Sequence, residues 1–366
     1  MEENLILAGF VLLPVLLATG LYLFFVRRRI HRRADATWRH LLLGNALVLA
    51  FLGSLLLLTG EVYYRFLYDA TDSFGLTKVT QRWFERHFHY NTATFRDSLP
   101  GYELEPPPGV RRITFVGDSF TAGHGVADVE DRFANRIRAL RPQERINIFA
   151  KCGWDTGHQL AFLTPENLGA YKLDVVVLVY CLNDVSDIVP EWPRILERIY
   201  QGQQTGFFVQ HSWLLNTWYF RWQAASDPDV ADYYRFVSGA YEGTIWEQQK
   251  QRLRRLRDFI HARGGRLLVV TFPFLHALGP EYEYAPAHEK LDLLWRELDV
   301  PHLDLLSTYS GRKPDELTVN AFDAHPNEHA HAIAADAIQS FLERELGVES
   351  EGDLSPARGR EPDPAE

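Results

Sequence analysis

The sequence predicts an α/β protein: a doubly wound, parallel five-stranded sheet preceded by a two-helix transmembrane hairpin. Three observations carry that expectation. Two runs of about 20 residues near the N-terminus carry no charge. Beyond residue 109, five short apolar runs alternate with helical patterns. Charge is also uneven: residues 1–60 are net +3, so the other 306 residues carry −13 to give the chain's total of −10.

The hairpin comes first. Residues 5–26 and 41–60 are each free of charged side chains. A helix of ~20 apolar residues spans the hydrocarbon core, so both are long enough. Pro14 is tolerable as a kink. Arg27, Arg28, Arg29, Arg32, Arg33 and Arg39 lie between the runs or at their edge. Positive loops stay cytoplasmic, which puts both ends of the hairpin and the large following domain on the extracytoplasmic face. Two buried core helices are a poorer reading of runs set back to back around so basic a connection. A cleavable signal is poorer too, because the chain begins Met1-Glu2-Glu3 and shows no A-x-A site. Tyr63, Tyr64, Phe66 and Tyr68 follow as an interfacial aromatic belt would.

Composition closes off other classes. With 46% hydrophobic residues the chain can build a real core, which excludes global disorder. The net charge of −10 argues against a nucleic-acid binder. Two cysteines, Cys152 and Cys181, exclude a disulfide-built scaffold and a four-cysteine zinc site. The two could form a single bridge, but it would have to cover two strand spacings, ~9–10 Å, too far without loop movement.

Residues 61–109 read as a linker and lead-in ending in Pro106-Pro107-Pro108-Gly109. The domain proper spans 110–348. Its expected strands are 112–116, 146–149, 174–180, 266–272 and 300–306, continuous enough in apolar residues to be buried on both faces. Helical patterns lie at 131–140, 159–168, 246–263 and 329–346. An insertion at 190–245 is rich in aromatics, among them Trp192, Phe207, Phe208, Trp213, Trp218 and Trp222. It reads as a small helical subdomain with its own core, or functionally as a lid or sugar-stacking wall. Residues 349–366 are acidic and poor in large apolar side chains, the composition of a disordered tail.

Four motifs fall at strand ends, where such sheets build sites. Gly117-Asp118-Ser119-Phe120 follows the first strand and offers a hydroxyl and a backbone N–H at one point. Asp323-Ala324-His325-Pro326-Asn327 precedes the last helix and supplies a base with a carboxylate to orient it. Gly153, after the second strand, and Asn183, after the third, are neutral donors suited to a developing oxyanion. Each motif alone is also ordinary turn or cap chemistry; their common placement makes the case.

The set resembles the SGNH hydrolase (GDSL esterase/lipase) superfamily over about residues 110–346. Gly117-Asp118-Ser119-Phe120 matches its first block, Gly153 the second-block glycine, Asn183 and Asp184 the third block, and Asp323 with His325 the fifth. Residues 91–96 resemble the lead-in of membrane-tethered members. The resemblance implies Ser119 as nucleophile, His325 as base and Asp323 as orienting acid. It implies an oxyanion hole from Ser119, Gly153 and Asn183, with Asp118 and Asp184 supporting. Two departures stand out: Cys181 replaces the usual third-block glycine, and one residue rather than two separates Asp323 from His325. The chemistry needs no cofactor. The expected substrate is an ester, a small acyl group on an envelope carbohydrate or lipid.

Three rival readings fit the same residues. An O-acyltransferase would use the same acyl-serine. A membrane-tethered binding module would keep the scaffold without the reaction. His325-Pro326-Asn327-Glu328-His329 also fits the letters H-x-x-E-H of an inverted zinc-protease motif, which needs both histidines on one helical face and a third ligand. His329 and His331 otherwise read as solvated helix residues.

Overall fold

The computed structural model describes residues 1–30, 38–201, 205–228 and 233–347. The expected tail at 349–366 and the centre of the arginine-rich loop, 31–37, lie outside the described residues.

Strands β1 (Arg112–Gly117), β2 (Arg145–Ala150), β3 (Val175–Cys181), β4 (Arg266–Phe272) and β5 (His302–Asp304) form one sheet in the order β2-β1-β3-β4-β5. All neighbouring pairs are parallel. Every residue of β1 and β3 is buried, as central strands covered on both faces require. Strand β5 is shorter than the run at 300–306 suggests. It is an edge strand, pairing with β4 alone over three rungs.

For this strand order, right-handed crossovers put the β1–β2 helix on one face and the later crossover helices on the other. Phe133–Leu140 packs against the C-terminal helix Glu328–Leu346 on one face, and Thr156–Phe162 against Gly243–His261 on the other. Register matters for the site. Gly117 pairs with Ala150 and Val116 with Leu178, so β1, β2 and β3 end near one level. Their loops open at one rim, where the strand order reverses.

Residues 61–109 do more than link. Trp83, Phe88 and Phe95 are buried in the main core alongside Phe115, Phe149 and Phe272. Arg96 is buried as well, and its guanidinium donates to the carbonyls of Gly123 and Val126 at 2.6 Å each. A short antiparallel pair, β6 (Thr318–Asn320) and β7 (Asp323–Pro326), lies outside the main sheet. Its polar D-A-H-P strand gave no sequence signal.

At the N-terminus, helices Glu2–Ile30 and Trp38–Val62 pack on each other. The stretches Glu2–Arg27 and Trp38–Leu67 are long and apolar enough to cross a membrane, and only 11% of the apolar window of each is buried. The insertion docks on this pair. Buried Glu61 accepts from the Ser212 hydroxyl at 2.7 Å and from the N–H groups of Trp213 and Leu214 at 3.2 and 3.0 Å. It thus satisfies orphan donors in the first turn of helix Trp213–Ser226. The insertion also has a core of its own, Ile195, Ile199 and Phe220 with Leu76.

Candidate active site

The turn after β1 places Ser119. Asp118 caps the short helix Ser119–Ala122, its carboxylate accepting the Phe120 N–H at 2.9 Å. Gly117 permits the close approach: a Cβ there would lie 2.2 Å from Thr121 Oγ1 and 3.0 Å from the Val179 carbonyl. The Ser119 hydroxyl lies 2.9 Å from His325 Nε2. His325 Nδ1 lies 2.6 Å from Asp323 Oδ1.

The short Asp-Ala-His spacing is explained by β7. In a strand, residues i and i+2 share a face, so one intervening residue suffices. The His325 backbone N–H also donates to Asp323 Oδ1, at 3.1 Å. This leaves Oδ2 for other donors. The Thr71 hydroxyl donates to it, and His124 Nε2 stands 3.3 Å away.

His124 and Thr71 are residues that sequence reasoning missed. His124 sits in an unremarked Gly-His-Gly, and Thr71 in the expected linker. The His124 ring stacks on His325, centroids 4.0 Å apart and planes inclined by 17°. Its Nε2 also reaches the Asp72 carbonyl at 3.1 Å.

Electrostatics follow from this packing. Burial alone would raise the Asp323 carboxyl, but the charges and hydrogen bonds of His124 and His325 hold it well below the usual carboxylate range. Burial pushes His325 below its ordinary value. A charged His124 pushes the same way, against the pull of Asp323. His325 is therefore neutral at pH 7, the form a general base needs. His124 goes the other way. Burial opposes its charge, but Asp323 overrides that and holds it well above the ordinary value.

Gly153 and Asn183 line the same cavity of about 410 Å³ as Ser119 and His325. Gly153 adopts φ +79°, which a glycine takes without strain. The Asn183 side-chain oxygen is buried without a hydrogen-bond donor, and the residue lines the cavity. Trp154, Trp192, Leu196 and Tyr200 complete much of the apolar wall, so the insertion contributes to the site as well as to its own core.

Asp118 and Asp184 lie behind the loops, both fully buried. Gln159 donates to Asp184 Oδ2 at 3.0 Å. Burial pushes Asp118 up to about 7. Burial, and then the neighbouring Asp118, push Asp184 well above the usual carboxylate range too.

The remaining sequence candidates are also placed. Cys152 and Cys181 are free thiols; β1 lies between the strands that precede them. His331 is not solvated. It is fully buried, accepts the Phe133 N–H at Nδ1 (3.2 Å) and is pushed down to about 3 by burial and nearby arginines. The H-x-x-E-H letters form no metal motif: His325 lies in β7, Asn327 caps the last helix, and His329 is exposed on its first turn. Among the described residues, His124, Asp323 and His325 bring ligand-type atoms within 4.8 Å of one another. Both ring nitrogens of His325 and both oxygens of Asp323 are engaged in hydrogen bonds, a proton-relay arrangement rather than a cation cage.

One family model matches most of the chain. The sequence model described as the GDSL-like Lipase/Acylhydrolase family matches residues 115–333. No curated protein matches the chain. Among solved structures, it is similar to a member of the lipolytic protein G-D-S-L family from Veillonella parvula DSM 2008, with 12% identity, 64% of this chain and 100% of that one covered, and a TM-score of 0.41. It is also similar to Axe2, an acetylxylan esterase from Geobacillus stearothermophilus, with 14% identity, coverages of 65% and 95%, and a TM-score of 0.40.

Proposed function

The chain belongs to the GDSL-like lipase/acylhydrolase family, enzymes acting on ester bonds, and from that premise we propose a membrane-anchored serine esterase with Ser119 as its nucleophile. The observation that carries the reading is the chain of contacts from Ser119 Oγ to His325 Nε2 (2.9 Å) and from His325 Nδ1 to Asp323 (2.6 Å) beside a cavity. In this mechanism His325 takes the Ser119 proton as the hydroxyl oxygen attacks the ester carbonyl. The N–H groups of Ser119 and Gly153 and the Asn183 amide hold the oxyanion. The tetrahedral adduct collapses as His325 gives its proton to the leaving alcohol, forming acyl-Ser119. Water, deprotonated by His325, then attacks the acyl carbon and regenerates the serine. Asp323 keeps the His325 Nδ1 proton in place throughout.

The hairpin anchors this domain with its site outside the cytoplasmic face, and the substrate is a short acyl ester on an envelope carbohydrate or lipid. Transfer of the acyl group to a sugar hydroxyl uses the same acyl-Ser119 and differs only in the acceptor. The test is hydrolysis of acetyl and longer-chain esters by the full chain in detergent or nanodiscs, with products analysed with and without an added glycan. Accessibility of an introduced surface tag in intact cells tests the orientation.

A further inference from the structure

The proposed triad leaves a second imidazole unexplained. His124 is only 4% exposed. It is held on every side. Trp83 stacks along it at 6.5 Å and Phe84 meets it edge-on at 5.2 Å. His325 lies parallel on it at 4.0 Å. Its loop is fixed from below by buried Arg96, which binds the carbonyls of the flanking Ala122 and Gly123. A buried, partnered imidazole is often mere filling, yet this one holds its Nε2 between the Asp72 carbonyl at 3.1 Å and, at 3.3 Å, the Oδ2 that the His325 contacts leave open on the orienting carboxylate.

We propose that His124 is a positioning residue of this site, resting on the triad reading above: with Thr71 it clamps Asp323 Oδ2, so that Oδ1 stays aligned on His325 Nδ1. The one-residue Asp-Ala-His spacing makes the clamp necessary. In β7 a single carboxylate oxygen serves both the His325 ring and the His325 backbone N–H. The other oxygen would be buried and unpaired without Thr71 and His124. An unpaired buried carboxylate oxygen is costly, and the carboxylate would rotate to find donors. The segment that follows the second apolar helix thus completes the site from outside the main sheet. Thr71 is itself tied down, its carbonyl accepting from Asn320 Nδ2 at 2.9 Å.

The clamp also has an electrical consequence. The groups facing His124 are Asp323 on β7 and the Cys152 thiol after β2; those facing His325 are Asp323, Asp72 and His124. A cation stacked on His325 disfavours a second proton there, which keeps the base free at lower pH.

The experiment compares His124→Gln and Thr71→Val with the wild-type full chain in detergent, reading kcat, KM and the pH profile on a soluble acetyl ester. Loss of a hydrogen bond to a charged group corresponds to about a 10- to 100-fold fall in kcat. His124→Gln shows that fall with KM little changed, and its acid limb moves to higher pH, because His325 loses the neighbouring cation. Thr71→Val lowers kcat without moving the limb, because no charge is removed. Wild-type kcat and an unmoved limb in His124→Gln overturn the proposal. Ser119→Ala separates the two levels: if it stays active, the triad reading itself has failed. Should His124→Gln not fold, ¹⁵N-imidazole spectra of the wild type decide. At pH 7 His124 carries protons on both nitrogens and His325 on one; a neutral His124 overturns the proposal.

Discussion

Replacing Asp323 by asparagine perturbs the site at its most constrained atom pair. The carboxylate accepts from His325 Nδ1, the His325 N–H and the Thr71 hydroxyl, with His124 Nε2 at 3.3 Å. Both of its oxygens therefore act as acceptors, and an amide offers one. If its NH₂ turns toward His325, Nδ1 must accept and the proton moves to Nε2. That tautomer cannot take the Ser119 proton. The expected loss is ~10⁴ in kcat with KM little altered. If its NH₂ turns toward Oδ2's partners, a buried and charged His124 faces a donor. Removing one partner of a buried pair costs ~3–5 kcal/mol. That cost makes the variant less thermostable as well, by about 6–12 °C at its lower end. Ester hydrolysis from pH 5 to 9 and thermal melts in one detergent measure both. Turnover within tenfold of wild type, with an unchanged melt, would refute the assignment of Asp323 as the orienting acid.

Other perturbations separate the parts. Asn183→Ala lowers kcat by ~10²–10³ while KM stays near wild type, if its amide meets the oxyanion; a pure KM effect would place Asn183 in substrate binding instead. Gly117→Ala drives a Cβ to within 2.2 Å of Thr121 Oγ1 and 3.0 Å of the Val179 carbonyl, an overpacking cost of ~1–3 kcal/mol in urea unfolding. Asp118 has its folded pKa raised to about 7. Its contribution is thus full below the unfolded value near 4 and is lost as pH rises toward 7. Asp118→Asn keeps the cap and removes that slope, so wild type minus variant stability falls between pH 4 and 7; a flat difference would contradict the buried, protonated carboxyl.

How much of this was legible beforehand depends on the range of each signal. Strands β1 to β4 announce themselves locally, because a segment buried on both faces must be apolar throughout. Ser119, Gly153 and Asn183 were legible because each follows such a run directly. Their convergence depends on register, Gly117 opposite Ala150 and Val116 opposite Leu178, which the parallel sheet supplies. The β6–β7 hairpin was not legible: its strands are short and polar, and pairing rather than composition makes them strands. Without it, the Asp323–His325 spacing looks one residue too short. His124 and Thr71 were invisible for another reason. Their roles arise from contacts across about 200 and 252 positions of chain, and a lone Gly-His-Gly or a threonine in a mixed segment carries no periodicity. His331 misled in the opposite direction, since a polar residue near a helix start reads as solvated until the Phe133 N–H is found bonded to it.

The central claim is that the Ser119 hydroxyl is the attacking group. A fluorophosphonate that labels activated serines, applied to the full chain and mapped by peptide mass spectrometry, tests it most directly. The account predicts one modification, on Ser119, lost together with ester hydrolysis in Ser119→Ala. Labelling at another residue, or hydrolysis by Ser119→Ala at the wild-type rate, would contradict it.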